Sequence, residues 1–261
     1  MDAGMRVEPE VAPASTLLII ILIMTHEDTV PSSPHAAGSE PRRPPVITLR
    51  HARVRSEDAL ESERALLDIE QLDLYPGDRV VVTGPSGAGK SMLLSTLTGR
   101  WAVGLRFTGE RIPHFSRIGF IPQRGLDALH PLVPLGGQLG RVTGQSTGRV
   151  AEVLDAVGLT DPAVRRRRPT EISGGQAQRA AVALAVLTRA PLILADEPTS
   201  ALDHTTRDQT LALLDRVIEP SQTLVVVTHD PAVADALATR RLAIDSGRIT
   251  EIGPAPRTAA A

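Results

Sequence analysis

From Pro45 onward the chain alternates between short uninterrupted apolar runs and longer stretches whose apolar positions recur at helical spacing. RVVVTG (79–84), RIGFIP (117–122), PLILAD (191–196) and TLVVVTH (223–229) are apolar and rich in β-branched residues. Such runs predict strands buried on both faces of a largely parallel sheet. In RVAEVLDAVGL (149–159), Val150, Val153, Leu154 and Val157 share one helical face. RAAVALAVLTRA (179–190) predicts a buried helix feeding the strand after it, and RLAIDSGRITEIG (241–253) a closing hairpin with Ser-Gly at its turn. No internal repeat is present. The predicted class is α/β, with a mixed, largely parallel sheet and a more helical segment over about 124–180.

The first 45 residues follow a different pattern. EPEVAPAS and TVPSSPHAAGSEPRRPP are rich in proline and small polar residues, a composition that predicts mobility. Between them lies LLIIILIM (17–24). As a helix it would span only about 12 Å against roughly 30 Å of hydrocarbon. Asp2, Glu8 and Glu10 outweigh Arg6 where a secretory signal requires positive charge. Three readings stay open: a peripheral membrane contact, a segment packed on a partner or on the core, and a start assigned upstream of the native one. The expected organisation is an extension (1–45), one domain (46–253) and a short tail (254–261).

Composition narrows the function classes. The chain has 261 residues, a formal net charge of −2 and no cysteine. Room exists for a sizeable core, whereas disulfides, iron–sulfur clusters and thiolate zinc sites are excluded. Neither nucleic acid nor acidic lipid is attracted by such a charge balance. With five aromatic residues in all, a base-stacking platform for single strands is not expected. Four consecutive arginines, Arg165 to Arg168, read first as solvated surface, with an acidic or phosphate-bearing partner, or nucleic acid, as alternatives.

Lysine occurs once, as Lys90, although the chain holds 28 basic residues counting arginine. It lies in Gly84-Pro85-Ser86-Gly87-Ala88-Gly89-Lys90-Ser91, a match to G-x-x-x-x-G-K-[ST] between a buried strand and an apolar helical run. That context is the one a phosphate-binding loop requires. Its glycines let backbone N–H groups curl around phosphate oxygens, and the helix N-terminus adds partial positive charge. Lys90 would then reach the β- and γ-phosphates and the Ser91 hydroxyl would bind Mg²⁺. An arginine fork does not replace a compact ammonium in such a cradle. LILADEP ends a strand in two adjacent acids. Asp196 suits a Mg²⁺ held through water, and Glu197 is placed to polarise an attacking water.

In EISGGQAQR, the tetrad Ser173-Gly174-Gly175-Gln176 stands 23 residues before Asp196. It resembles the signature of ATP-binding cassette (ABC) ATPases, and the similarity extends over roughly residues 46–253. Physically it is a second phosphate-binding helix end. The resemblance implies a P-loop NTPase of the cassette type with a helical signature subdomain, using ATP and Mg²⁺. It implies head-to-tail dimerisation with a second ATPase subunit, identical or not, so that each signature closes over the other chain's γ-phosphate. It also implies that Gln123 contacts Mg²⁺ and reports to the transport partner, that Asp203 in SALD crosses the dimer interface, and that His229 contacts the γ-phosphate and orients the water.

Members of that family place an aromatic upstream of the P-loop to stack on adenine. Here LRHARVRSEDAL contains none, which leaves His51, Arg53 or Arg55 as candidates; Tyr75 is too close to the loop. RGLDALHPLVPLGGQLG (124–140) resembles peptide/nickel importer ATPases, with His130 where those have asparagine before Pro131. The long C-terminal extension of many of them is missing, and shorter nickel or metallophore types fit better. The implied function is therefore an ATP-hydrolysing subunit at the cytoplasmic face of the membrane, bound to transmembrane permease subunits. It would energise uptake of peptides, nickel or a metal chelate, with an extracytoplasmic binding protein as a further partner and no nucleic acid. An exporter ATPase and a soluble cassette in translation or DNA repair are the competing readings.

Overall fold

The computed structural model describes residues 43–58, 64–200 and 204–252. The tract 17–24 and Asp203 lie outside them. Strand β1 (Ile47–Ser56) pairs antiparallel with β2 (Leu67–Leu74) and, across a bulge between Arg50 and Arg53, with β4 (Leu105–Pro113). His51 sits in that bulge with φ 46°. A second sheet has six strands in the order β5-β6-β7-β3-β8-β9. These are β3 (Arg79–Thr83), β5 (Ile118–Ile121), β6 (Leu192–Asp196), β7 (Thr223–Thr228), β8 (Arg240–Asp245) and β9 (Arg248–Glu251). β5, β6, β7, β3 and β8 run parallel, and β9 returns antiparallel through Ser246-Gly247, both at positive φ. Two consecutive positive φ values suit a primed hairpin turn, as the Ser-Gly signal predicts.

Alternation along the central strands divides the interior in two. Val80 and Val82 of β3 and Val225 and Val227 of β7 face one core, with β1, β2 and helix α1 (Lys90–Thr98). Val81, Leu224 and Val226 face the other, with the helical part. Strands with both faces covered have no polar side, so their sequences read as continuous apolar runs. The helical part comprises a 3₁₀ turn at Gly125–Ala128, α2 (Leu135–Thr143), α3 (Thr147–Ala156), α4 (Pro162–Arg166), a second 3₁₀ turn at Pro169–Glu171, and α5 (Gly174–Leu187). α6 (His204–Val217) and α7 (Pro231–Leu237) complete that side.

α5 is lined with alanines that let other backbone approach closely: a Cβ on Gly125 would stand 2.4 Å from the Ala177 carbonyl carbon. Of the four arginines, Arg166, Arg167 and Arg168 are exposed, while Arg165 is tied to the Leu159 carbonyl and to Asp155. Among the described residues, no helix is long and apolar enough to cross a membrane.

Candidate active site

Strand order places the chemistry. β5, β6, β7 and β3 are parallel neighbours, so their carboxyl ends open on one edge, where open α/β sheets hold ligands. Gln123 follows β5, Asp196 and Glu197 end β6, His229 follows β7, and the P-loop follows β3.

Leaving β3, Gly84 passes β8 so closely that a Cβ would stand 2.3 Å from the Ile244 carbonyl oxygen. The loop ends at Gly89, which caps α1 at φ 108° with no side chain bonded to the helix end. Because Gly89 has no side chain, the first amides of α1 are left for an external anion. Lys90 is buried, and its ammonium donates to the Gly84 and Pro85 carbonyls at 2.8 and 3.0 Å. The same nitrogen lies 3.7 Å from Glu197 Oε1.

Glu197 adopts a left-handed conformation (φ 41°), with its N–H donated to the Val227 carbonyl of β7 at 2.9 Å. A non-glycine residue held there costs about 1–3 kcal/mol, which persists only where its surroundings enforce it. The result turns Glu197 away from Asp196 and across to His229, whose Nδ1 is 2.9 Å from Glu197 Oε2. Lys90, Glu197 and His229 thus form one contiguous polar chain. The Asp196 carboxyl is pushed above its ordinary range, first by burial and then by the Glu197 charge, while Lys90 pulls it down. Gln123 stands apart from this chain: its Nε2 donates to Ser200 Oγ at 2.9 Å. An open cavity of about 350 Å³ lies over the loop, lined by Leu66, Ser86, Gly87, Gly89, Lys90, Ser91, Met92 and Glu197.

The signature tetrad opens α5 elsewhere. Ser173 Oγ accepts the Gln176 N–H at 3.2 Å, and Gln176 Oε1 accepts the Ser173 N–H at 2.9 Å, a reciprocal capping box. Ser173, Gly175 and Gln176 line a separate cavity of about 490 Å³ beside α3 and α6. None of the four borders the P-loop cavity. A Cβ on Gly174 or Gly175 would meet nothing within 4 Å.

A sequence model described as ABC transporter matches residues 67–200, just over half of the chain. The chain belongs to the ABC transporter family. Its parallel strand edge and helical signature part are those of the ABC ATPase cassette. The cassette is 36% identical over 223 residues to the Fe(3+) ions import ATP-binding protein of Streptomyces avermitilis, covering 80% of this chain and 62% of that one. It is 37% identical to the aliphatic sulfonates import ATP-binding protein of Rhodopseudomonas palustris, covering 82% and 76%. It is 34% identical to a macrolide export ATP-binding/permease protein from another strain of that species, covering 77% and 33%. The chain spans 62% of the first of these relatives and 33% of the third, both under two thirds of their length. Among solved structures, a dimeric ATP-binding cassette in a post-hydrolysis state with ADP and Pi superposes with TM-score 0.61 at 26% identity, covering 79% of this chain and 99% of that one. A metal-chelate type ABC transporter in an inward-facing conformation gives TM-score 0.62 at 28% identity, covering 80% and 83%. These relatives spread over importers and an exporter and do not single out the peptide/nickel branch.

Two features of the cassette carry little sequence signal. Gln178, buried inside α5, donates through Nε2 to the carbonyls of Pro122 and Pro198, at 3.3 and 3.4 Å, joining the loops that hold Gln123 and Glu197. Nothing in the alanine-rich run marks it except its polarity. Leu66 and Met92 are the apolar side chains lining the P-loop cavity, whereas His51, Arg53 and Arg55 do not line it. Arg53 is paired with Asp68 at 2.8 Å.

Proposed function

We propose that this chain, through a cassette over residues 46–253 with its helical part near 124–180, binds and hydrolyses ATP as one of a head-to-tail pair. The observation that carries this reading is a mismatch within one chain. Lys90, Glu197 and His229 assemble over the P-loop, while the signature glycines face nothing that needs a glycine. Glycine inside a helix costs about 1 kcal/mol relative to alanine. Two in succession at the start of α5 are explained by close approach of something outside the chain, and a second cassette's nucleotide fits. Asp203 is assigned to the same interface.

In the proposed cycle, the Lys90 ammonium exchanges the Gly84 and Pro85 carbonyls for β- and γ-phosphate oxygens. The exposed α1 amides and Gly84 to Gly89 cradle the rest of the triphosphate. Glu197, oriented by His229, accepts a proton from the attacking water, and the other ring nitrogen of His229 is left for the γ-phosphate. Ser91, Gln123 and Asp196 offer the hydroxyl, amide and carboxylate oxygens that Mg²⁺ takes. The crowding of Asp196 by burial and by Glu197 is the kind of site that a dication relieves. When bound, Mg²⁺ would neutralise charge on the phosphate oxygens. The partner's Ser173–Gln176 segment would close the site, with Gly174 and Gly175 amides toward the phosphate.

We assign the cassette to a membrane transporter, docked on permease subunits at the cytoplasmic face. Leu126 and Leu132, exposed at 45% and 67% just beyond Gln123, offer the apolar contact such a subunit needs. Uptake of peptides, nickel or a metal chelate is the finer reading. It is supported by the 124–140 sequence and by the likeness to a metal-chelate type transporter, and it adds an extracytoplasmic binding protein. Export is the second reading, favoured by the macrolide export relative. The test is Glu197→Gln: it retains ATP binding, loses turnover by on the order of 10²–10⁴-fold, and accumulates as an ATP-dependent dimer in size-exclusion chromatography. Turnover near wild type would remove Glu197 from its role.

A further inference from the structure

The wall of the P-loop cavity is divided by chemistry. Ser86, Gly87, Gly89, Lys90, Ser91 and Glu197 supply its polar and backbone part, while Leu66 and Met92 are its apolar side chains. Leu66 is 44% exposed, so its side chain is open to a ligand in the cavity. Its backbone is held on three sides. The Leu66 N–H donates to the Val54 carbonyl at 2.8 Å. Its carbonyl oxygen presses on the P-loop and on the β8–β9 turn: a Cβ would stand 3.0 Å from it on Gly89 and 2.7 Å on Gly247. Gly247 in turn donates to the Ala88 carbonyl at 2.8 Å. The exposed side chain is therefore presented to the cavity by a fixed backbone packed against the phosphate loop.

No ring of this chain competes for that position. Trp101 stacks on Phe107 at 4.6 Å, and Phe115 lies beneath Arg111. Phe120 is within β5, and Tyr75 is in the turn before β3. These five are all the aromatic residues of the sequence, and none lines the cavity. Beyond the polar groups of the phosphate loop and Glu197, the cavity presents, among the described residues, no side chain able to hydrogen-bond the edge of a base.

We propose that Leu66, seconded by Met92, holds the nucleobase by dispersion contact alone, and that the cassette consequently accepts ATP and GTP nearly alike. This rests on the nucleotide-hydrolysis reading above. Adenine and guanine have similar apolar faces and differ in the hydrogen-bonding groups along their edges. An aliphatic wall contacts the faces and does not register the edges, and a hydrophobic pocket discriminates weakly against groups it need not pair. Discrimination by edge would require donors or acceptors, and among the described residues the apolar part of the cavity offers none.

The test is equilibrium binding and turnover on the full chain with Mg-ATP, Mg-GTP and inorganic tripolyphosphate. Wild type should show ATP and GTP dissociation constants within about fivefold of each other. Leu66→Ala should weaken both nucleotides by about five- to tenfold while leaving tripolyphosphate, which has no base, unchanged. Leu66→Met should restore nucleotide affinity. A preference for ATP over GTP beyond about tenfold, or unchanged nucleotide affinity in Leu66→Ala, overturns the assignment while leaving phosphate binding in place. A chain that binds neither nucleotide nor tripolyphosphate overturns the hydrolysis reading and this assignment with it.

Discussion

Lys90 shows why its position tolerates so little. Its ammonium fits between two carbonyls of its own loop, at 2.8 and 3.0 Å, with the stem buried. A guanidinium is planar and broader and cannot rotate its donors independently. Lys90→Arg should therefore lower kcat/KM for ATP by on the order of 10–100-fold although charge is conserved; steady-state kinetics checks it, and normal activity would refute the fit argument. Asp196 carries the opposite kind of constraint. Burial and the Glu197 charge raise its carboxyl, so the folded state holds that proton more tightly than the unfolded chain. Its contribution to stability is present at low pH and is lost as pH rises through the raised value. Nucleotide-free Asp196→Asn should thus melt above wild type at neutral pH, with the gap closing as pH falls toward the ordinary carboxylate range, and should lose Mg²⁺-dependent turnover. Thermal melts from acid to neutral pH decide it; wild type melting higher at pH 7 would contradict the assigned cause.

Between residues and the whole lie elements whose join is polar. Arg79, buried at the start of β3, donates to the carbonyls of Ile218, Glu219 and Gln222 just past α6. Arg111 of β4 caps the far end of α1, donating to the carbonyls of Thr96 and Leu97 at 2.9 and 2.8 Å. Gln178 plays the same part between α5 and the loops that follow β5 and β6. Gln178→Leu would leave the Pro122 and Pro198 carbonyls without its amide, and such a loss costs about 1–3 kcal/mol. Chemical denaturation should show that drop, and turnover should fall further than stability, because the loops holding Gln123 and Glu197 lose their tie. At this scale the central strands, α3, α5 and the Ser246-Gly247 hairpin are legible in sequence, since each has an unbroken local pattern. The three-stranded sheet is less legible. β4 is an edge strand with mostly exposed side chains, and its pairing with β1 depends on a bulge at His51 that no local signal announces.

For the whole molecule, the decisive fact is that the two glycine-rich helix starts, of α1 and α5, sit in different cavities of one chain. Placing Gly175→Asp in the Glu197→Gln background should abolish the ATP-dependent dimer while monomers still bind ATP. The new carboxylate would face phosphate across the interface, whereas within the chain it meets open space. A dimer that persists in the double variant would place the interface elsewhere. By itself, the sequence determined the α/β class, the P-loop, the acidic strand end and the signature, because each depends on residue type at short fixed spacing. Only the tertiary structure decided that Glu197 turns toward His229 and Lys90, and that Leu66, in an acidic stretch without periodicity, lines the cavity of the phosphate loop. Those outcomes follow from strand order and from close backbone approaches among β3, β8 and the segment after β1, which link positions far apart in the chain and leave no local pattern to read.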